Sequence, residues 1–537
     1  WLCEALFWLG RYEEQVEIAE RGLALVEGEG PSVEVALMNQ EIAVGSLPLG
    51  RRDVFREFTQ RTAQFLKDLP YSEELRPAYD HVATFYAWHR GEPEVALQWL
   101  QILRDQAEIH HDLRAVGQSH DYAGLVLKMM GDLGEAAAEH QQALELGERV
   151  GDVWQELDAL GHLADVYLAM GDLGQARSYA ERALETTSRL ENLEGMAWAN
   201  WRIGYIACAS GAYDEAVERF GQAAEQFRVA GAVPQVATMG YYTAAVQIHR
   251  GATAEALHQF KEAAALAGPH VLAQSPMALV LVLSAIEAIS GETGAFEAFC
   301  AEWRERLPED MLGQWSLHPA EAVPAWQPLL TENAFSTDLD SPWMWVDPLG
   351  GSTYRVQEGV SIQAPNGRGL GGSNVSAPRV MRQVVGEGAC EAICFQPTDA
   401  LPQIGGLVLW CEKRRYLALT WGLGGRGAFT LRGWVDDQDT FVGRGWLPEG
   451  ADEAHLRLEW RAGAARALCS ADGVQWYQVG KVRWESSEPF LIGMHAVGDL
   501  DRLIYPGRYA EGTAIAFRDV RVWGGQPEDQ ESEPSSS

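Results

Sequence analysis

Aromatic, acidic and imidazole side chains recur in the first half of the chain at intervals of three and four residues. They form the sets His81, Phe85 and Trp88; Asp121, Leu125 and Lys128; Asp158, Gly161 and Asp165; Trp198, Trp201 and Tyr205; and Tyr241 with Ala245. On a helix such spacing places each set on one face. A stripe carrying Trp88, Trp201, Tyr205 and Tyr241 beside Asp121 and Asp165 offers flat apolar surface next to hydrogen-bond acceptors. That combination suits an extended peptide or a sugar-like ligand, and tryptophan and tyrosine are enriched where binding energy concentrates. A second reading packs the same aromatics between neighbouring helices. In the second half, Trp410, Trp421 and Trp434, with Trp446 and Trp460, could stack on a saccharide ring or fill a core.

Catalytic and metal chemistry is harder to assemble. No Ser-His-Asp or Cys-His set follows from sequence order. His110 and His111 are adjacent rather than four apart and are assigned to a junction between helices. Seven cysteines are scattered with no CxxC pair, so neither a disulfide framework nor a zinc site is expected, and reduced thiols in a cytoplasmic protein fit best. The glycines of "GLGGRG" (422–427) mimic a phosphate loop, but no helical pattern follows them, and they read as a hairpin connection. "NVS" at 374–376 is a glycosylation triplet without meaning in a cytoplasmic chain. The expectation is no catalytic residue, no metal and no cofactor.

The elements that position the stripe are legible from glycine. Gly10, Gly50, Gly91, Gly131, Gly171, Gly211, Gly251 and Gly291 follow one another at 40 or 41 residues. A fixed period of this size marks a stacked repeat array. About a dozen helix-favouring residues lie on either side of each marker, and glycine gives the backbone freedom needed where a helix stops. Alanine stands five residues after the marker at Ala96, Ala136, Ala176, Ala216 and Ala256. A small side chain there lets two antiparallel helices approach. Gln15, Phe55 and Phe296 break the pattern in the outer units.

Leu163, Ala164, Tyr167, Gly171 and Ala176 in one unit, and Ile203, Gly204, Gly211, Tyr213 and Ala216 in the next, resemble the tetratricopeptide repeat family. That family's usual unit is about 34 residues. The longer beat looks like that of kinesin light chains and of the sensor regions of large bacterial signalling ATPases. The resemblance implies an α-helical solenoid that binds a protein or peptide partner. It also implies an upstream nucleotide switch or effector. The chain opens on "WLCEALFWLGRYEE", inside a repeat, and is read as a fragment from which such a domain is missing.

Composition narrows the partners. A net charge of −34 argues against nucleic acid as the main ligand. No apolar run reaches the roughly 18 residues that span a bilayer, and "MALVLVLSAIEAIS" (277–290) is read as a repeat helix. The acidic tail, 525–537, is expected to be disordered.

From about residue 310 the helical rhythm gives way to a linker, 311–332, and then to short alternating runs rich in β-branched and aromatic residues, such as "GGLVLWCE", "RYLALTWG" and "AFTLRGWV". Many short strands separated by turn signals imply an all-β sandwich or jelly roll. "LRLEWRAGAARALCSADGVQWYQVGKV" (456–482) reads as three antiparallel strands, with Asp472–Gly473 in a tight turn and Trp476 covering it. This stretch, "SAPRV" (376–380) and "AFRDVRVW" (516–523) resemble the concanavalin A-like lectin/glucanase superfamily over 333–524. Enzymes of that group carry a Glu-x-Asp-x-x-Glu strand, which is absent here; "DDQDTF" (436–441) reads as a solvated loop. The resemblance therefore implies binding rather than hydrolysis.

The expected architecture is thus an all-α helical-hairpin solenoid over 1–310 followed by an all-β jelly-roll sandwich. The expected role is that of a non-enzymatic sensor region gripping a protein or peptide in the groove of a bacterial signalling protein. Carbohydrate binding through the sandwich is the alternative. Neither nucleic acid nor membrane is expected as a partner.

Overall fold

The computed structural model describes residues 2–8, 11–26, 30–274, 317–320, 323, 329–332, 335, 338–339, 341–436, 438–447, 451–461, 463–485 and 489–524. Gly10, the 277–290 run, Gly291, Phe296, Cys300, most of 311–332 and the 525–537 tail lie outside them. The helices are α1 (Leu2–Trp8), α2 (Tyr12–Val26), α3 (Val33–Ser46), α4 (Arg52–Asp68), α5 (Arg76–Thr84), α6 (Pro93–Ile109), α7 (Leu113–Met130), α8 (Leu133–Val150), α9 (Val153–Met170), α10 (Leu173–Arg189), α11 (Leu193–Ala209), α12 (Tyr213–Val229), α13 (Val233–His249) and α14 (Thr253–Gln274). Among the described residues, no helix is long and apolar enough to cross a membrane.

The glycine markers end helices as their chemistry requires. Gly50, Gly91, Gly131, Gly171, Gly211 and Gly251 all have φ between 63° and 85°. At Gly131 the amide donates to the Lys128 carbonyl (3.0 Å) and the next amide donates to that of Leu127 (2.9 Å), so two terminal carbonyls are satisfied. The starts of the helices follow a second beat. Asp112, Asp132, Asp152, Asp172 and Asn192 stand twenty apart, and each side chain accepts the amide three residues on, at 3.1 to 3.3 Å. Each such cap stabilises its helix by about 1 kcal/mol. All five marker alanines are fully buried.

Packing divides the chain into two compact units, Trp1–Leu163 and Ala164–Ser537. The first is built on the helical hairpins, and its largest core gathers Leu75, Tyr79, Val82, Trp99, Leu103 and Val126. The second holds the later hairpins, whose core centres on Phe220 and Phe227, together with a β-sandwich.

The strands are β1 (His318–Pro319), β2 (Leu329–Glu332), β3 (Met344–Val346), β4 (Thr353–Val356), β5 (Val360–Ala364), β6 (Arg379–Val384), β7 (Gly388–Phe395), β8 (Gly405–Glu412), β9 (Arg415–Trp421), β10 (Ala428–Val435), β11 (Gln438–Trp446), β12 (Glu453–Arg461), β13 (Ala464–Ser470), β14 (Tyr477–Arg483), β15 (Phe490–Ala496) and β16 (Thr513–Gly524). One antiparallel sheet runs β1-β14-β13-β12-β7-β16-β5-β4 with β2 also on β16, and the other runs β11-β10-β9-β8-β15-β6-β3. Alternate residues such as Ile362, Leu407, Leu417, Leu431, Leu456, Ile492 and Phe517 form the shared core. Two pieces of the stretch expected as linker, β1 and β2, are strands of the first sheet.

The hairpin at 470–477 is broader than the tight turn expected. The Asp472 carboxylate accepts the amides of Val474 (2.8 Å) and Gln475 (2.9 Å), while the Trp476 indole donates to the Gly473 carbonyl (3.0 Å) and covers the turn. "GLGGRG" joins β9 to β10, which pair antiparallel, so it is a strand connection. The reading of 436–441 as a loop needs correction. Asp436 makes the turn at φ 50°, and Gln438 onward is β11, paired with β10. Its one acidic residue, Asp439, is exposed on an edge strand, and composition alone does not separate such a strand from a loop.

Candidate binding site

In the first unit the stripe divides by environment. Phe85 is 2 % exposed and meets Phe55 edge-on at 5.5 Å. His81 stands over Phe55 (5.8 Å) with Nε2 2.9 Å from the Thr59 hydroxyl. Burial, helped by the charge of His89, pushes its imidazole down to about 4. Trp88 lies in a widened turn, where the Arg90 amide donates to the Phe85 carbonyl (3.0 Å), and it is 46 % exposed. Lys128 is half-buried and Asp158 exposed.

Asp121 is buried. One carboxylate oxygen accepts from Nδ1 of His140 (2.8 Å) and of His162 (2.9 Å). Burial works against the charge of Asp121, but His162 and His140 outweigh it and hold the carboxyl well below the usual range. Next to it, Asp80 is fully desolvated, and its carboxyl is pushed up to about 8 by burial, against the opposing effects of Arg76 and of the Gln118 amide bonded to it.

In the second unit Asp165 holds Arg202 through two bonds of 3.0 and 3.1 Å. Trp198, Trp201 and Tyr205 come together as one aromatic cluster. Trp198 meets Trp201 at 5.7 Å and Phe227 at 5.0 Å, and Trp201 meets Tyr205 at 6.1 Å. Tyr242, which the stripe left out, completes the cluster at 5.9 Å from both Trp201 and Tyr205. Tyr241 turns inward instead, 1 % exposed, against Phe260.

This cluster holds the segment between β15 and β16. The Tyr205 hydroxyl donates to the Asp501 carboxylate at 2.7 Å. Burial and that carboxylate push the phenol well above its ordinary value. Leu503 packs into the cluster around Phe220 and Trp201, and the His249 imidazole, stacked on Tyr213 at 5.5 Å, bonds the Leu503 carbonyl. At the end of α9, two carbonyls left over by helix geometry are satisfied from the sandwich. The Arg502 guanidinium donates to Ala169 O (3.1 Å) and the Asn366 amide to Met170 O (2.9 Å). Arg502 and Asn366 also bond each other at 3.0 Å. The Arg508 carbonyl lies so close to Gly171 that a Cβ there would fall 2.0 Å from it. The repeat face thus grips a polypeptide segment through one carboxylate, one leucine, one guanidinium and backbone carbonyls.

The sandwich tryptophans are less open. Trp421 is 4 % exposed and stacks on Phe429 at 5.7 Å. Trp434 is buried with the Arg414 guanidinium 5.1 Å over its ring. Trp410 is half-buried, stacked on Tyr416 and covered by Arg379 at 4.2 Å.

A tetratricopeptide repeat family model matches residues 116–189. A search of the curated proteins finds no match. Among solved structures, the apo form of RapI is 14 % identical, with 56 % of this chain and 85 % of that chain covered and a TM-score of 0.42. A signal-transduction ATPase with a tetratricopeptide repeat sensor from Pyrococcus horikoshii is 18 % identical, with 53 % and 47 % covered and a TM-score of 0.38. The carbohydrate-binding module CBM66 from Bacillus subtilis is 10 % identical, with 34 % and 95 % covered and a TM-score of 0.24.

Proposed function

We propose that this chain is a non-enzymatic recognition region whose repeat face binds an extended polypeptide, with residues 501–508 as its built-in occupant. The observation that carries this reading is the hold on that segment. Tyr205 reads a carboxylate, the Trp198–Trp201–Tyr242 cluster takes an aliphatic side chain, and the Ala169 carbonyl at the end of α9 takes a guanidinium. A partner that presents an acidic residue followed by a basic and an aliphatic one would meet the same groups. Binding of such a partner would displace the internal segment, which gives a two-state response of the kind a sensor needs. We read the chain as the sensor part of a larger cytoplasmic signalling protein in a bacterium; the forty-residue beat supports this by its likeness to such sensors.

The test uses the full chain. Leu503→Asp loosens the internal segment, and peptide display against this variant is expected to enrich sequences that bind it better than the wild type by about tenfold or more. Adding Trp201→Ala should abolish that binding while the circular dichroism stays helical. Enrichment of the same peptides on the Trp201→Ala chain would count against the reading. The carbohydrate alternative draws less support, since Trp421 and Trp434 are committed to packing; a glycan array on the full chain addresses it.

A further inference from the structure

We propose that Asp121, His140 and His162 form a binding site for a divalent transition metal of the zinc, cobalt or nickel kind. The three residues come from three successive helices, α7, α8 and α9, and each presents a ligand atom within 4.8 Å of the others'. They are the one such group among the described residues. Two imidazoles and one carboxylate are the donor set that borderline divalent ions prefer over calcium or magnesium. The separations are close to those an ion needs. Donors about 2.0–2.1 Å from one tetrahedral ion lie about 3.3–3.4 Å apart; the two Nδ1 atoms, 2.8 and 2.9 Å from the shared Asp121 oxygen, would open by about half an ångström to admit it.

Burial and packing fix two of the three ligands in place. Asp121 and His140 are 7 % and 0 % exposed, so an ion bound between them is held out of bulk water. The His140 ring is fully buried. It fits only because residue 124 is glycine, where a Cβ would fall 2.6 Å from the imidazole. On binding, each Nδ1 gives up its proton to hold the metal, and the imidazole carries a proton on Nε2 instead. Three protein ligands leave positions open for water, and His162, the half-buried member, marks the side from which solvent enters. The site does not depend on the peptide-binding reading, because neither the aromatic cluster nor the 501–508 segment takes part.

The experiment is cobalt titration of the full chain after chelator treatment, followed by visible absorption, with zinc as competitor and melting temperature as a second readout. The expected result is one equivalent bound, with a rise of several degrees in melting temperature at saturating zinc. Asp121→Asn, which keeps the shape, should lower affinity about 100-fold or more and remove the thermal shift. His162→Gln, at the more open position, serves as the second variant and should do the same while the metal-free chain stays folded. Absence of cobalt bands in the wild type, or bands unchanged in both variants, would overturn the proposal and leave a hydrogen-bonded clamp alone.

Discussion

Glu191 offers a sharp test of the repeat geometry. Each hairpin is joined to the next at a position that recurs every forty residues: His111, Gly151, Glu191 and Gly231. All four have left-handed backbone, with φ of 57°, 69°, 53° and 77°. Glycine adopts that conformation freely, whereas a side chain there costs about 1–2 kcal/mol. Replacing Glu191 by glycine relieves this, but glycine also gains about 0.4–1 kcal/mol of freedom in the unfolded chain. The difference predicts that Glu191→Gly stabilises by about 0.5–1 kcal/mol, and that Gly151→Ala destabilises by about the same or more. Glu191 is exposed, so no packing is lost. Urea unfolding followed by far-ultraviolet circular dichroism reads both changes as shifts in midpoint. If Glu191→Gly instead loses about 1 kcal/mol, the ordinary penalty of glycine within a helix, the junction is not left-handed and the reasoning fails.

Further outcomes follow from particular side chains. Because burial holds the Asp80 carboxyl at about 8 in the folded chain, above its unfolded value, the folded state keeps a proton that the unfolded state releases. The stabilising contribution is complete below about pH 4 and is lost as pH rises to about 8, at up to about 1.4 kcal/mol per pH unit. Asp80→Asn should flatten that decline and raise the melting temperature at pH 8 in chelator-containing buffer; an unchanged pH profile would refute the assignment. Ala176→Leu places three extra carbons where the side chain is fully buried and should cost about 1–3 kcal/mol in a denaturant titration. Asp172→Ala removes the cap on α10 and should cost about 1 kcal/mol by the same measurement; no loss would mean that the cap does not hold in solution.

Most of the fold was legible because it is repetitive. Glycine at forty-residue steps and alanine five residues later are local requirements of a helix end and a close helix approach, and the composition states them openly. The cap ladder from Asp112 to Asn192 runs on a twenty-residue beat, which the forty-residue glycine marker does not display. The residues of the expected stripe fall in different surroundings. Counting ten back from Gly91, Gly131, Gly171, Gly211 and Gly251 gives His81, Asp121, Gly161, Trp201 and Tyr241, of which His81 and Trp201 are half-buried and the rest buried. Counting nine back gives Val82, Tyr122, His162, Arg202 and Tyr242, all half-buried except Val82, which is buried. A helix face is about a hundred degrees wide, so both columns satisfy the same three-and-four spacing, and only packing separates them. The docked segment and the Asp121–His140–His162 group were not legible. Both depend on residues far apart in sequence, from 19 to 333 positions, which no local pattern encodes.

The repeat face holds the segment between β15 and β16, and a pair of glycine variants isolates that contact. Gly171 and Gly211 share the same backbone, φ 81° and 80°, and so pay the same conformational penalty as alanine. A Cβ meets the Arg508 carbonyl only at Gly171; at Gly211 nothing lies within 4 Å. Hydrogen–deuterium exchange of the amides from Leu503 to Tyr509 should therefore quicken by about tenfold or more in Gly171→Ala and stay near wild type in Gly211→Ala. Equal protection in the two variants would contradict the account.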